Sequence, residues 1–301
     1  MTMQNLDFLV EESQKGRPVT MALACPYGDD ALEAVAHAAR EEIVRVVLIG
    51  DEPRIRTLAE KAGCDLSKVF IVDEKDEEKA MALSVKMVSS GQADLLMKGL
   101  VKTSTLLKAV LNKEWGLRTG SLLSHLFLFE VPALGRVIGV SDGGMNTFPD
   151  LKAKAKIIEN AAGCYHKIGV PQPRIAALAA VETVNPDMEA SIDAAALAKM
   201  NDRGQIKGCI VDGPLAFDNA ISPEAAKIKG ISSPVAGNAH MLLVPNIEAG
   251  NLVGKTLLYM TKGKGAGLVL GAAAPIVLTS RFDSMETKLL SIALGAVAAR
   301  G

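Results

Sequence analysis

The sequence predicts an α/β fold of two domains, each an α/β/α arrangement with a mostly parallel sheet, and three observations carry that prediction. Short β-rich runs alternate with longer helical stretches along the chain. The runs are almost wholly apolar, as expected of strands buried on both faces of a parallel sheet. A turn-rich segment, DGGMNTFPD, breaks the alternation after Asp142, and a second alternation begins behind it.

In order, VTMALACP, VRVVLIG, KVFIVD and ADLLMKG read as strands, and the stretches DDALEAVAHAAREE, EPRIRTLAEKAG and EKDEEKAMALSVKMVSSG between them read as helices. A helix is expected from near Leu151 after the turn-rich segment. RIAALAAV, the helix around PDMEASIDAAALAKM, KGCIVDGPLAFDNAI, HMLLVPN and the helix AGNLVGKTLLYMTKG then form the second alternation. The strand AAPIVLTS and the helix DSMETKLLSIALGAVAAR look like a return to the first domain. The expected division is 1–142 plus 269–301 for a discontinuous first domain and 143–268 for the second.

Composition narrows the function classes. The chain has 301 residues, 49% of them hydrophobic and 4% aromatic, so its core is built from small aliphatic side chains. Lys plus Arg total 33 against 34 for Asp plus Glu, so no net field attracts a nucleic acid. No apolar run reaches the roughly 18 to 20 residues that span a bilayer, and MTMQNLDFLVEESQKGR has acidic residues where a signal peptide is apolar. The expectation is a soluble cytoplasmic protein with no membrane or nucleic-acid partner. Cys25, Cys64, Cys164 and Cys209 show no metal-ligand spacing and read as reduced, mostly buried thiols.

Generic nucleotide motifs are absent. No GxGxxG opens a helix after a strand, and GxxxxGK[ST] does not occur. Gly263, Gly265 and Gly267 in TKGKGAGLVLG precede a strand and read as a flexible connection. Paired carboxylates at metal spacing are also missing, so no metal site is expected. Polar residues instead concentrate at strand ends, where this architecture builds sites. DGPLAFDNAIS delivers Asp218 into a loop, SPVAGNAHMLLVPNIEAGN places Glu248, Gly250 and Asn251 at a helix start, and PIVLTSRFDS puts Ser280 and Arg281 at a strand end with Asp283 at a helix start.

Those three stretches, in this order and spacing, resemble the signature of phosphate acetyltransferases and phosphate butyryltransferases. GGMNTFPD, ADLLMKGLVKTSTLLKAVL and SHLFLF extend the resemblance over nearly the whole chain. The compact length, Met97-Lys98-Gly99 and Ser124-His125 resemble the butyryl branch. The resemblance implies an isocitrate/isopropylmalate dehydrogenase-like fold with an active-site cleft between domains, and a homodimer formed by the second domain. It implies acyl-CoA and inorganic phosphate as substrates, joined in a ternary complex with no metal and no tightly bound cofactor, coenzyme A being substrate or product. Ser280 and Arg281 correspond to the family's strand-end pair that holds phosphate and the developing oxyanion.

The chemistry asks for such groups. A guanidinium binds two phosphate oxygens at once and stays charged, and a hydroxyl donor stabilises the tetrahedral oxyanion. One departure bears on proton transfer, because the position of the family's catalytic Asp holds Thr287 here. Asp283, Glu286 and His125 are the candidate bases, with Asp283 first; its structural alternative is a helix cap. Lys98 and Lys102 are placed to bind phosphate groups or to be ordinary solvated lysines. Ser124 falls where the family has a serine facing the acyl site, or is a strand hydroxyl bonded to backbone. His125 has a structural alternative in the core, Asn146 orients a substrate or caps its turn, and Asp218 lines the site or stabilises its loop. Two rivals remain: a metal- and NAD-dependent decarboxylating dehydrogenase, which lacks its Asp cluster here, and a catalytically silent acyl-CoA binding protein.

Arg281→Lys tests the pair. The variant is expected to fold but to lose most turnover, because an ammonium does not reproduce the bidentate fork. Near-wild-type kinetics in a thiol-release assay would remove Arg281 from the site.

Overall fold

The computed structural model describes residues 3–280 and 283–300, so Arg281 lies outside the described residues. In chain order the elements are α1 (Phe8–Ser13), β1 (Thr20–Ala24), α2 (Asp29–Arg40), β2 (Arg45–Gly50), α3 (Glu52–Lys61), β3 (Val69–Asp73), α4 (Glu77–Ser89), β4 (Leu95–Lys98) and α5 (Thr103–Val110). There follow β5 (Ser124–Val131), β6 (Arg136–Ser141), α6 (Leu151–Lys167), β7 (Arg174–Leu178), α7 (Glu189–Asp202), β8 (Ile210–Leu215), α8 (Phe217–Ile221), α9 (Pro223–Ile228), β9 (Met241–Leu243) and α10 (Ile247–Met260). The chain ends with β10 (Gly265–Leu270), β11 (Ile276–Val277) and α11 (Met285–Ala299).

Helix starts follow local side-chain chemistry. Asp51, Asp76, Asp150, Ser222, Asn246 and Ser284 each accept a backbone amide from the first turn of the helix they precede. Ser284 is thus the cap of α11, and the capping alternative considered for Asp283 gives way to a different structural role described below.

The chain forms two compact units. A terminal unit comprises Leu6–Ser121 and the described residues from Ala266 onward, and a central unit comprises Leu122–Gly265 with residues 3–5. The boundary read at Asp142 falls inside the central unit, because β6 pairs in parallel with β9 and carries β5 with it as an antiparallel hairpin. The chain crosses back at 265/266, where the sequence reading placed 268/269.

In the terminal unit the strand order is β3-β2-β1-β4-β11-β10, parallel except for β10, which runs antiparallel to β11. The central strands are buried on both faces: Met21, Ala22, Leu23, Leu95, Leu96 and Met97 are all fully inaccessible. Edge strand β3 differs, with Phe70 70% exposed, since only one neighbour covers it. In the central unit the order is β5-β6-β9-β7-β8, parallel from β6 onward. Its core gathers Phe129, Ile138, Val140, Leu215 and Leu242.

Two expectations are corrected. Strand β6 is an additional element, joined to β5 through a turn in which Gly135 takes a left-handed conformation. The glycine-rich segment read as a flexible connection is largely strand β10, and its glycines serve close packing: a Cβ on Gly265 would sit 2.5 Å from the Phe127 ring and one on Gly263 would meet the Glu130 carbonyl.

Close backbone approach also shapes the terminal unit. Gly99 donates to the Ala24 carbonyl, and a Cβ there would lie 2.0 Å from the Cys25 carbonyl oxygen and 2.6 Å from that of Ala24. Gly99→Ala is therefore expected to lower the unfolding free energy by about 1–3 kcal/mol in urea titration, because backbone cannot swing aside as a side chain does. An unchanged midpoint would show that the strand ends move apart freely.

Candidate active site

In the terminal unit the polar residues gather where parallel strands end. Strand β1 runs into Cys25, a left-handed residue at φ 55°, whose amide donates to Ile49 O at 2.8 Å. Its carbonyl accepts from Tyr27 N and Leu100 N, both at 2.8 Å, which ties the loops after β1 and β4 together. Burial pushes the Cys25 thiol up to about 12, with Glu77 adding to the shift and Arg54 and Lys98 opposing it. Cys25 is a neutral packing residue. Half-buried Lys98, at the end of β4, donates to Gly99 O at 3.0 Å and Val101 O at 2.9 Å. Lys102 is exposed at the start of α5.

Strand β11 pairs in parallel with β4, Val277 opposite Met97, so Ser280 follows the same sheet edge that Lys98 ends. Asp283 is 6% exposed, and its Oδ2 accepts the Ser280 amide at 2.6 Å while its own amide donates to Ser280 O at 3.3 Å. Its carboxylate closes this turn. Ser284 then caps α11 by accepting Thr287 N at 3.2 Å, and its hydroxyl donates to Thr287 Oγ1 at 3.2 Å. Thr287 is 3% exposed, whereas Glu286 is exposed in the first turn of the helix.

The central unit presents a second polar group. Asp142, 2% exposed at the end of β6, accepts Gly144 N at 2.8 Å and Met145 N at 2.9 Å through Oδ1, and Asn146 Nδ2 at 2.5 Å through Oδ2. Asn146 also donates to Leu123 O at 2.9 Å. The loop is pressed against the start of α10: a Cβ on Gly143 would lie 2.8 Å from the Gly250 carbonyl carbon, Ile247 N donates to Thr147 O, and Asn251 Nδ2 reaches Gly143 O at 3.4 Å. Glu248 is exposed at that helix start.

Because β5 is antiparallel to β6, its first residues sit at this same edge. Strand alternation sends neighbours to opposite faces. Ser124 is buried and accepts Asn160 Nδ2 at 2.9 Å, toward α6, while the His125 ring lies against Gly144 and 5.8 Å from the Phe127 ring. The two adjacent residues therefore do not share one surface. Asp218 is 3.7 Å from Lys229 Nζ, which also holds Glu182 at 2.8 Å and keeps that carboxyl below its ordinary range by hydrogen bonding. No described contact links Asp218 to the Asp142 loop.

Each unit thus gathers its polar residues at strand ends: the terminal unit has Lys98, Lys102 and the Ser280 turn, and the central unit has the glycine loop bound by Asp142. Comparison with known proteins adds the family. Residues 77–296 match the family described as phosphate acetyl/butaryl transferase. The chain belongs to that family. A phosphate butyryltransferase of Clostridium beijerinckii is 48% identical over 98% of this chain and 98% of its own. A phosphate acetyltransferase of Thermotoga maritima is 45% identical over 97% and 99%. The crystal structure of a branched-chain phosphotransacylase from Enterococcus faecalis superposes with a TM-score of 0.84 at 31% identity, covering 94% of this chain and 99% of that one. The mixed α/β, dehydrogenase-like fold expected from the resemblance is that of this transferase family.

Sequence reasoning used Asp142 only as a boundary and missed its role as the hub of the loop after β6. The signal was present, since an Asp followed by two glycines is the pattern of a carboxylate collecting the amides of its own turn. Asp142→Ala removes one acceptor group from three donors, and is expected to cost about 2 kcal/mol or more in unfolding free energy and to speed hydrogen exchange at Gly144 and Met145. Unchanged exchange at those two amides would show that the loop holds its shape without the carboxylate.

Proposed function

We propose that this chain is a phosphate butyryltransferase, catalysing butanoyl-CoA + phosphate = butanoyl phosphate + CoA through a ternary complex. The observation that carries the reading is 48% identity, over 98% of each chain, with a protein bearing that name, together with the LTSRFDS stretch that resembles the family's signature. A phosphate oxygen attacks the thioester carbonyl carbon, negative charge collects on the former carbonyl oxygen, and the C–S bond breaks to release CoA as a thiolate that takes its proton from water. Ser280 and Arg281 hold the phosphate and the oxyanion, where donors act most strongly on the transition state. Lys98 and Lys102 contribute positive charge, and His125 with Asn146 borders the acyl thioester. Asp283 shapes the Ser280 turn, and Asp283, Glu286 and His125 are the groups placed to accept the CoA thiol proton in the reverse direction. Ser124 and Asp218 act structurally, the first on Asn160 and the second beside Lys229.

We also propose a cytoplasmic homodimer. Leu252, Tyr259 and Met260, spaced at i, i+7 and i+8 on α10, are 70%, 63% and 78% exposed, an apolar stripe that a second copy would cover.

The neighbouring reading is a phosphate acetyltransferase, favoured by 45% identity with the Thermotoga maritima protein. Two extra methylenes, each worth about 0.8 kcal/mol on burial, give butyryl-CoA an expected advantage of roughly 10- to 20-fold in kcat/KM. Thiol release from butyryl-CoA and acetyl-CoA, with and without phosphate, decides the matter. A preference for acetyl-CoA overturns the butyryl assignment, and no phosphate-dependent release from either overturns the enzyme reading.

A further inference from the structure

Helix α11 is buried along almost its whole length, and from Leu289 to Ala298 its side chains are aliphatic or small. Lys288 stands at the head of this segment and is 5% exposed. A lysine is almost never withdrawn from water unless its ammonium is matched, and a methionine would fill the same volume without that demand. The Lys288 ammonium donates to the main-chain oxygen of Asp283 and lies 3.7 Å from Oδ2 of Asp30, in the first turn of α2. Asp283 in turn holds the Ser280 amide through its carboxylate. Asp30, Lys288, Asp283 and Ser280 therefore form one relay of contacts from a neighbouring helix to the strand-end turn. Packing needs only the volume of Lys288; the turn needs its charge and its N–H.

We infer that Lys288 is a positioning residue for the Ser280 turn, its ammonium fixing the Asp283 main chain against α2 so that the Ser280 donors stay in place. The inference rests on the proposed role of Ser280 in the transfer reaction. A displacement of the turn by about 1 Å is enough to cost on the order of 100-fold in rate.

The test compares Lys288→Met, Lys288→Arg, Asp30→Asn, Ser280→Ala and Lys154→Met in the full chain, with butyryl-CoA, phosphate and thiol release as readout. Lys154 is an equally buried lysine, paired with Asp193 at 2.5 Å in the central unit, and serves as the packing control. Expected is a fall of about 10- to 100-fold in kcat for Lys288→Met per folded molecule, KM for butyryl-CoA within about twofold of wild type, and partial recovery in Lys288→Arg, since the cation and its donors return. Lys154→Met is expected to melt earlier but to keep its kcat. Wild-type kcat in folded Lys288→Met, or an equal kcat loss in Lys154→Met, overturns the inference. Should Lys288→Met fail to fold, Asp30→Asn decides: its carboxylate is over half exposed, and a loss of about 3- to 10-fold in kcat supports the relay while wild-type kcat overturns it. Full turnover in Ser280→Ala removes the site reading itself, whereas loss in Ser280→Ala with none in Lys288→Met removes only the positioning role.

Discussion

Because the inner strands of each unit are covered on both faces, the polar chemistry of each has one outlet, its edge where parallel strands end and loops begin. Everything else about the candidate site follows from that constraint. Lys98 is the last residue of β4, Ser280 follows β11, Asp142 follows β6 and Asn246 follows β9. In the central unit the antiparallel strand β5 meets the β6 edge in reverse, offering its first residues where β6 offers its last. Within each unit, a strand that ends too soon or turns too broadly would spread that unit's own polar residues, so the loops must be tight. Gly99 against the Cys25 carbonyl and Gly143 against Gly250 supply that tightness by letting main chain meet main chain.

Tight loops at a buried edge withdraw polar groups from water, and the chain compensates each one locally. Asp142 and Asp283 are 2% and 6% exposed, yet both spend their carboxylates on amides of their own turns. Carboxylates so bonded do two things at once: they satisfy donors that would otherwise be costly, and they freeze the loop in one conformation. The lysines behave alike. Lys98 folds onto Gly99 and Val101 carbonyls, and Lys154 pairs with Asp193. The turns are thus closed by carboxylates of their own residues, and they are tied to one another by bonds between segments remote in sequence, such as Leu100 N to Cys25 O and Ile247 N to Thr147 O.

That division explains what was legible beforehand. Strand and helix order and the apolar strands were readable because burial on two faces writes a continuous apolar run. The short hairpin strand β6 was not, since RVIGVS follows a glycine turn only four residues long and its pairing with β9 is set by residues a hundred positions away. Gly263 and Gly265 resembled a loop because the Glu130 carbonyl and the Phe127 ring that press on them are remote in sequence. Among site residues, Lys98 and Ser280 were named from their strand-end positions and Asn146 from its turn-rich segment. Face was the weak point. Ser124 and His125 were named together, but a strand shows adjacent residues to opposite sides, and the packing of α6 decides which side each takes.

The departure at Thr287 can be weighed in the same terms. Its side chain is buried within the cap of α11 and shares its hydroxyl with Ser284, so proton transfer cannot run through that position as it would through a carboxylate. The loss is bounded. A thiol with a pKa of about 8.5 is already a few per cent thiolate at pH 7, so complete deprotonation by a base gains roughly 30-fold at most. Removing one oxyanion donor typically costs about 100- to 1,000-fold. On the proposed mechanism, then, the arrangement around Ser280 governs the rate far more than any base does. A chain that keeps that turn, caps it with Ser284 and anchors it from α11 retains the larger part of the catalytic apparatus while exchanging the smaller.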